Sequence, residues 1–103
     1  ALGLPNVKVY GDLNQSVRRA AVSPGSGKSV VSCALRKGAE VLITGDIDHH
    51  EGIDAVAQGT AIIDAGHYGL EHIFIKDMTE YLRDNLSEVE VEKVAISHPF
   101  QII

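Results

Sequence analysis

Two polar stretches of the chain carry most of the residues that could do chemistry. The first runs from Thr44 to Glu51 and the second from Asp64 to Glu71, and four of the five histidines lie in or beside them. Imidazole nitrogen and carboxylate oxygen are ligands for zinc and for other divalent transition metals. The convergence of these residue types is the strongest feature of the sequence, and it indicates a metal site.

His67 and Glu71 form the first candidate pair. They stand four residues apart, a spacing that places side chains on one helix face about one turn apart if a helix begins near His67. An imidazole and a carboxylate so placed can bind one ion or reach toward a second. Alternatively, Glu71 stabilises the first helical turn and His67 caps it or forms a hydrogen bond. We predict that both residues are metal ligands that open together onto one cleft.

His49 and His50 form the second candidate pair. Adjacent histidines point apart, so at most one of them would face a shared site, and both can instead be solvated residues that enter a short helix. Asp46 and Asp48 could orient a histidine from behind. They could equally be turn residues that bond to the local backbone.

A glycine-rich turn, Pro24–Ser29 (PGSGKS), resembles a nucleotide-binding loop without matching one. The motif G-x-x-x-x-G-K-[ST] needs a glycine five positions before Gly27, and Val22 stands there. Two interpretations stay open. The turn is either a tight structural turn or a set of exposed amides before a helix, which can receive an anion.

The elements that must position these residues alternate along the chain in the order β-β-α-β-α-β-α-β. Helices between strands require crossover connections, which favours a mixed, largely parallel sheet in a single α/β domain over residues 1–103, with antiparallel strands at its edges. Both polar stretches follow buried strands, so we expect them at the same edge of the sheet. The predicted strands are Val7–Tyr10, Arg18–Ser23, Glu40–Thr44, Thr60–Asp64 and Val89–Ser97, and the predicted helices are Lys28–Lys37, His50–Gln58 and Gly69–Asn85.

Composition excludes several classes of function. The formal charge of −5 argues against binding to a nucleic-acid backbone or to an anionic membrane surface. The apolar runs are too short for a membrane span, and no secretory leader is recognisable. Cys33 is the only cysteine, which excludes an intrachain disulfide; we expect it to be buried in a helix rather than to act as a nucleophile. We therefore expect a soluble, cytoplasmic protein.

Three sequence blocks, in this order, resemble the NIF-three-like family of dinuclear-metal proteins, which are often named GTP cyclohydrolase I type II homologues. The resemblance covers nearly the whole chain but only the C-terminal half of a typical member. The blocks are Pro24–Ser29, then Leu42–Ile47 (LITGDI) with His49 and His50, then Ile63–Tyr68 (IDAGHY) with Glu71.

The resemblance implies a three-layer α/β/α fold of two similar halves with a pair of divalent metal ions, zinc, manganese or iron, between them. His67 and Glu71 correspond to ligands of the family, whereas the remaining ligands belong to the N-terminal half. The resemblance also implies ring-shaped hexamers, so we expect a homo-oligomer or the missing half as partner. The predicted cleft residues are His50 as an acid or base, and His49, Asp46, Gly25 and Ser26 as substrate contacts.

Two functions follow as expectations. The first is the metal-binding half-domain of a hydrolase that acts on a small, nucleotide-like substrate, inactive or weakly metal-binding by itself because zinc-like sites use three or four protein ligands. The alternative is a non-catalytic binding or assembly module with a transcription-linked or regulatory partner. Whether this chain is an enzyme is left open by its residues.

Overall fold

The computed structural model describes residues 2–103, and it confirms the predicted α/β class. The strands and helices occur in the order β1, β2, α1, β3, α2, β4, α3, α4 over those residues. Their bounds are β1 Lys8–Tyr10, β2 Ala20–Ser26, β3 Val41–Gly45 and β4 Ala61–Asp64 for the strands, and α1 Val31–Arg36, α2 His49–Ala57, α3 His67–Glu71 and α4 Ile73–Asn85 for the helices.

The four strands form one mixed sheet in the order β1-β4-β3-β2. The pairs β2–β3 and β3–β4 are parallel, because helices α1 and α2 carry the chain back between them, whereas β1 pairs with β4 in the antiparallel direction. The prediction of a mixed, largely parallel sheet is therefore confirmed, and so is an antiparallel strand at one edge, whereas β2 at the other edge is parallel. Thr44 of β3 stands beside Asp64 of β4, so both strands end at the same edge.

The core lies between this sheet and its helices and consists of small and branched aliphatic side chains. Leu42 and Ile62 are completely or almost completely buried at the centre of the two middle strands. Helix α2 buries Gly52 and Ala55, whereas its larger side chains Ile53 and Val56 are 49% and 39% exposed. The reason is that Gly52 lies directly against the Tyr10 ring, where any side chain at that position would collide.

Two helix ends follow from local sequence. Helix α2 begins with a capping box, in which the Asp48 carboxylate accepts from the Glu51 amide at 3.0 Å and the Glu51 carboxylate accepts from the Asp48 amide. Beyond α1, Gly38 adopts φ +68°, a conformation that glycine takes without strain. Cys33 of α1 is exposed, so its predicted burial is wrong.

The chain divides into two compact units, one that ends at Leu70 and one that begins at Glu71. The second contains α4, which was predicted as part of one long helix together with α3. The predicted strand Val89–Ser97 is wrong, because residues 89–97 have no regular structure and Val94 is 79% exposed. Alternation of apolar and polar residues assigns side chains to faces but supplies no hydrogen-bonding partner. Within residues 2–103, no helix has the length and apolar character to cross a membrane.

Candidate functional site

The carboxyl ends of β2, β3 and β4 bring three polar turns to one edge of the sheet. Ser26 pairs with Gly45 and Thr44 pairs with Asp64, so the three strands finish at the same level. The turns approach each other closely: a Cβ atom on Gly45 would lie 2.5 Å from the carbonyl carbon of Gly66. Glycine at position 45 therefore allows the turn after β3 to touch the turn after β4, as the sequence predicted for the two polar stretches.

The Asp64 carboxylate, at the end of β4, connects these two turns. Its Oδ1 accepts hydrogen bonds from the amides of Asp46 at 3.1 Å and Gly66 at 3.0 Å. Its Oδ2 accepts from the amide of Ile47 at 3.1 Å and lies 2.9 Å from Lys8 Nζ. The Asp64 side chain is only 6% exposed. One buried carboxylate thus binds the backbone on both sides of the site.

The charge on Asp64 follows from these contacts. Burial raises the pKa of this carboxyl group, but the Lys8 ammonium and the amides of Gly66 and Ile47 together lower it further than burial raises it. The net result is a pKa of Asp64 below its ordinary value. The pKa of Lys8 is raised, chiefly by its hydrogen bond to Asp64, so the pair is fully ionised at neutral pH.

Asp46 is the one residue other than glycine with positive φ, at +55°, among residues 2–103. Aspartate tolerates this left-handed conformation better than most residues do. From this position the Asp46 Oδ2 lies 2.7 Å from Nδ1 of His67. Both side chains are about half exposed, at 51% and 53%. A neutral His67 donates its Nδ1 proton to the carboxylate, which leaves Nε2 as the nitrogen with a lone pair.

His67 and Glu71, the predicted metal ligands, are the first and last residues of α3. Both residues are exposed, so neither is sealed in apolar packing. In the part of the chain that the structure describes, no group of three or more His, Cys, Asp or Glu side chains could hold a metal ion together. Ligation by His67 and Glu71 stays a prediction.

His49 and His50 are the first two residues of α2, and both are exposed. Their ring centroids lie 5.4 Å apart at an interplanar angle of 73°, an edge-to-face contact between neighbours. The predicted roles, acid or base for His50 and substrate contact for His49, stay predictions.

Gly25 and Ser26 belong to β2, which runs past the predicted end of the strand at Ser23. Gly25 is buried with φ +71°, and the strand register shifts between Val22 and Ser26. The next amide, that of Gly27, donates to the Gly45 carbonyl at 2.8 Å, so it serves the fold. The structural interpretation of this segment is therefore correct for Gly27, and substrate binding by Gly25 and Ser26 stays a prediction.

Sequence reasoning missed Asp64 and Lys8 as residues that build the site. A usable signal existed, since Asp64 closes the apolar run Thr60–Asp64 and a carboxylate at the end of a buried strand needs partners. Lys8 could not be matched to it, because the pairing of Lys8 with Asp64 depends on the antiparallel register of β1 and β4.

This mixed α/β sheet with linked polar turns at one edge has clear relatives. The sequence model of the family described as Duf34/NIF3 (NGG1p interacting factor 3) matches residues 1–99. The chain belongs to this family. Curated relatives from Staphylococcus aureus (strain MSSA476) and Halalkalibacterium halodurans, both named "GTP cyclohydrolase 1 type 2 homolog", are 35% and 37% identical over 99% and 100% of this chain. The chain spans 29% of the length of each.

Solved structures agree with this assignment. A Bacillus cereus protein related to NIF3 superposes with a TM-score of 0.86 at 29% identity, over 99% of this chain and 29% of that protein. A hypothetical protein of Staphylococcus aureus gives a TM-score of 0.83 at 34% identity, over 99% of this chain and 35% of that one. The resemblance to the family that the three sequence blocks predicted is confirmed, and so is its partial extent.

Proposed function

We propose that this chain is the metal-binding part of a dinuclear-metal hydrolase and that His67 and Glu71 are two of the ligands. The observation that carries the proposal is the hydrogen bond of 2.7 Å between Nδ1 of His67 and the Asp46 carboxylate. Metal-ligating histidines almost always donate their second ring N–H to a carboxylate, a carbonyl or a water. His67 shows this arrangement at the sheet edge where α/β proteins bind ligands.

The donor chemistry fits a divalent ion, while the number of donors is smaller than a complete site needs. Imidazole and carboxylate suit zinc, manganese and iron(II). Two protein ligands are fewer than the three or four of typical zinc sites, so we propose that the rest come from another part of the protein or another copy. A bound metal pair would supply an activated water for attack on a small, nucleotide-like substrate. A cytoplasmic location, with its reducing conditions, suits the single cysteine.

The roles of the other residues follow from their places at the edge. His50 would donate or accept a proton, and His49, Asp46, Gly25 and Ser26 would contact the substrate. The relatives' name, "GTP cyclohydrolase 1 type 2 homolog", is consistent with a nucleotide-like substrate and is the ground for that part of the proposal.

Titration of the isolated chain with zinc, manganese and iron(II) tests this function. We expect weak binding by calorimetry, and selective broadening of the His67 ring signals by manganese in NMR spectra. The substitutions His67→Ala and Glu71→Gln should each remove both effects, while His98→Ala, a matched exposed histidine, should remove neither. Tight binding by a monomer would contradict the half-site. Broadening that spares His67 would contradict the ligand assignment.

A non-catalytic assembly module is the second candidate, and helix α4 favours it. Phe74, Met78 and Tyr81 recur at helical spacing and are 59%, 49% and 62% exposed. Under this alternative, replacing Phe74 and Met78 with serine would change the oligomer size in sedimentation velocity. His67→Ala and Glu71→Gln would then change neither the oligomer size nor any activity.

A further inference from the structure

We infer that Asp64 and Asp46 act in series as positioning residues for His67: Asp64 holds the backbone of Asp46, and the Asp46 carboxylate holds Nδ1–H of the imidazole. This arrangement places the imidazole proton on Nδ1 and the lone pair on Nε2. The use of Nε2 in metal ligation rests on the proposed function, whereas the orientation of the imidazole ring does not.

The first step is the backbone of Asp46. A left-handed conformation is unfavourable for residues with a Cβ, so it persists only where neighbours hold it. Here the amides of Asp46 and Ile47, on consecutive residues, both donate to the buried Asp64 carboxylate. The conformation that aims the Asp46 side chain is therefore set from β4.

The second step is the shared acceptor. Oδ1 of Asp64 accepts from Asp46 and also from Gly66, the residue that immediately precedes His67. One oxygen atom thus holds Asp46 and the turn that precedes His67 in a fixed position relative to each other. The close approach of Gly45 to the backbone of Gly66 and His67 leaves these turns little room to slide.

The third step is the imidazole itself. A hydrogen bond to a carboxylate is stronger and shorter than one between neutral groups, and 2.7 Å lies in the charge-assisted range. Free histidine in water favours the tautomer with the proton on Nε2. Asp46 favours the opposite tautomer, because only Nδ1–H can donate to it. A metal would then meet a basic Nε2 without any prior rearrangement of the ring.

Histidine tautomers in the metal-free chain give the test. Long-range ¹H–¹⁵N spectra of the neutral imidazole, recorded along a pH series, distinguish the two forms. We expect His67 of the wild type to be mainly the Nδ1–H form and the Asp46→Ala variant to switch to the Nε2–H form. Asp46→Asn keeps the shape of the side chain and tolerates positive φ, so this variant should give a mixture of the two His67 tautomers. A wild type already in the Nε2–H form, or an Asp46→Ala variant that keeps Nδ1–H, would overturn the inference.

Asp64→Asn tests the outer member of the series. Asp64→Asn should lose most of the Nδ1–H preference of His67, although Asp64 does not contact the ring; if this variant does not fold, Asp64→Glu, which keeps the charge but moves the carboxylate off the amides, should show the same loss. Lys8→Met keeps the amide bonds to Asp64 and should retain the tautomer. Lys28→Met, at the same edge but outside the series, is the matched control and should match the wild type. A folded Asp64→Asn variant with the wild-type tautomer would remove Asp64 from the series.

Measurement of zinc binding by the same variants distinguishes a failure of this inference from a failure of the proposed function. We expect Asp46→Ala to weaken zinc binding about 10–100-fold, the usual effect of removing such a partner. If the tautomer switches but the wild type binds no metal at His67, the positioning stands and the proposed function fails. If zinc binds through His67 and Asp46→Ala changes neither tautomer nor affinity, the positioning fails.

Discussion

Two ionic clusters lie along the carboxyl edge of the sheet, and they differ in what they hold. The buried cluster consists of Asp64, Lys8 and the amides that donate to Asp64. The exposed cluster consists of Lys28 with Asp48 and Glu51, at 3.4 Å and 3.3 Å, and the Lys28 side chain is 67% exposed. The buried cluster fixes backbone in two turns, whereas the exposed cluster joins side chains, of which Lys28 and Asp48 are more than half exposed and Glu51 is 22% exposed. An ionic contact holds the backbone of a site in place when one of its partners is buried and also accepts hydrogen bonds from backbone amides.

The exposed cluster also changes the character of the glycine-rich segment. Lys28 is the cation that could bind an anion in this segment, but it already forms ion pairs with Asp48 and Glu51. The pKa of Lys28 is raised, first by Glu51 and then by Asp48, and the pKa of Asp48 is lowered, chiefly by the Glu51 amide. The Asp48 carboxylate therefore remains charged at neutral pH and disfavours a second anion beside Lys28.

Substitution of Asp64 should change the free energy of unfolding more than any other substitution in the two clusters. Asp64→Asn leaves one acceptor oxygen and turns an NH₂ group toward backbone donors, so at least one buried amide loses its partner. We expect a loss of about 2–4 kcal/mol in the free energy of unfolding, measured by urea denaturation. Lys8→Met is the control; it removes a partner that is 55% exposed and should lose no more than about 1 kcal/mol. Equal losses in both variants would show that the ion pair, and not the amide bonds, supports the edge.

Substitution of Gly45 should give the next largest effect. The added Cβ in Gly45→Ala would lie 2.5 Å from the Gly66 carbonyl carbon and 2.6 Å from the His67 amide nitrogen, and backbone atoms cannot turn away. We expect a loss of about 1–3 kcal/mol, as for other overpacked sites. Gly66→Ala is the matched control, because it has positive φ but open space around its Cβ, and it should lose only about 1 kcal/mol. A neutral Gly45→Ala variant would mean that the two turns are free to separate.

Acid should destabilise the protein through the buried cluster, with a smaller effect on stability than the two substitutions above. The pKa of Asp64 is lower in the folded chain than in the unfolded one, so its contribution is complete above the unfolded pKa and is lost as the pH falls through the folded value. We expect the urea midpoint of the wild type to fall more steeply below about pH 4 than that of Asp64→Asn. Parallel curves for the two proteins would contradict the lowered pKa of Asp64.

The sequence was sufficient for the elements that depend on local pattern. Thr60–Asp64 was predicted as a buried strand from its apolar run and His50–Gln58 as a short helix from its periodic apolar residues, and both starts agree with β4 and α2 within one residue. The placement of the turns after β3 and β4 at one edge of the sheet was predicted from the parallel strands, whereas the specific contact of Asp46 with His67 was not. What could not be predicted depends on register: the pairing of Lys8 with Asp64, and the failure of residues 89–97 to find a strand partner.

The exposed cluster should give the smallest effect. Lys28→Met removes both contacts of the ammonium, but Lys28 and Asp48 are more than half exposed and only Glu51 is partly shielded, so we expect a smaller loss in the free energy of unfolding than in Lys8→Met. Salt sharpens the test: the difference between Lys28→Met and the wild type should vanish at about 1 M sodium chloride, where the screening length is short, while the loss in Asp64→Asn should persist. A salt-resistant loss in Lys28→Met that equals or exceeds the loss in Lys8→Met would place the two clusters in the same class, because only contacts shielded from solvent escape screening.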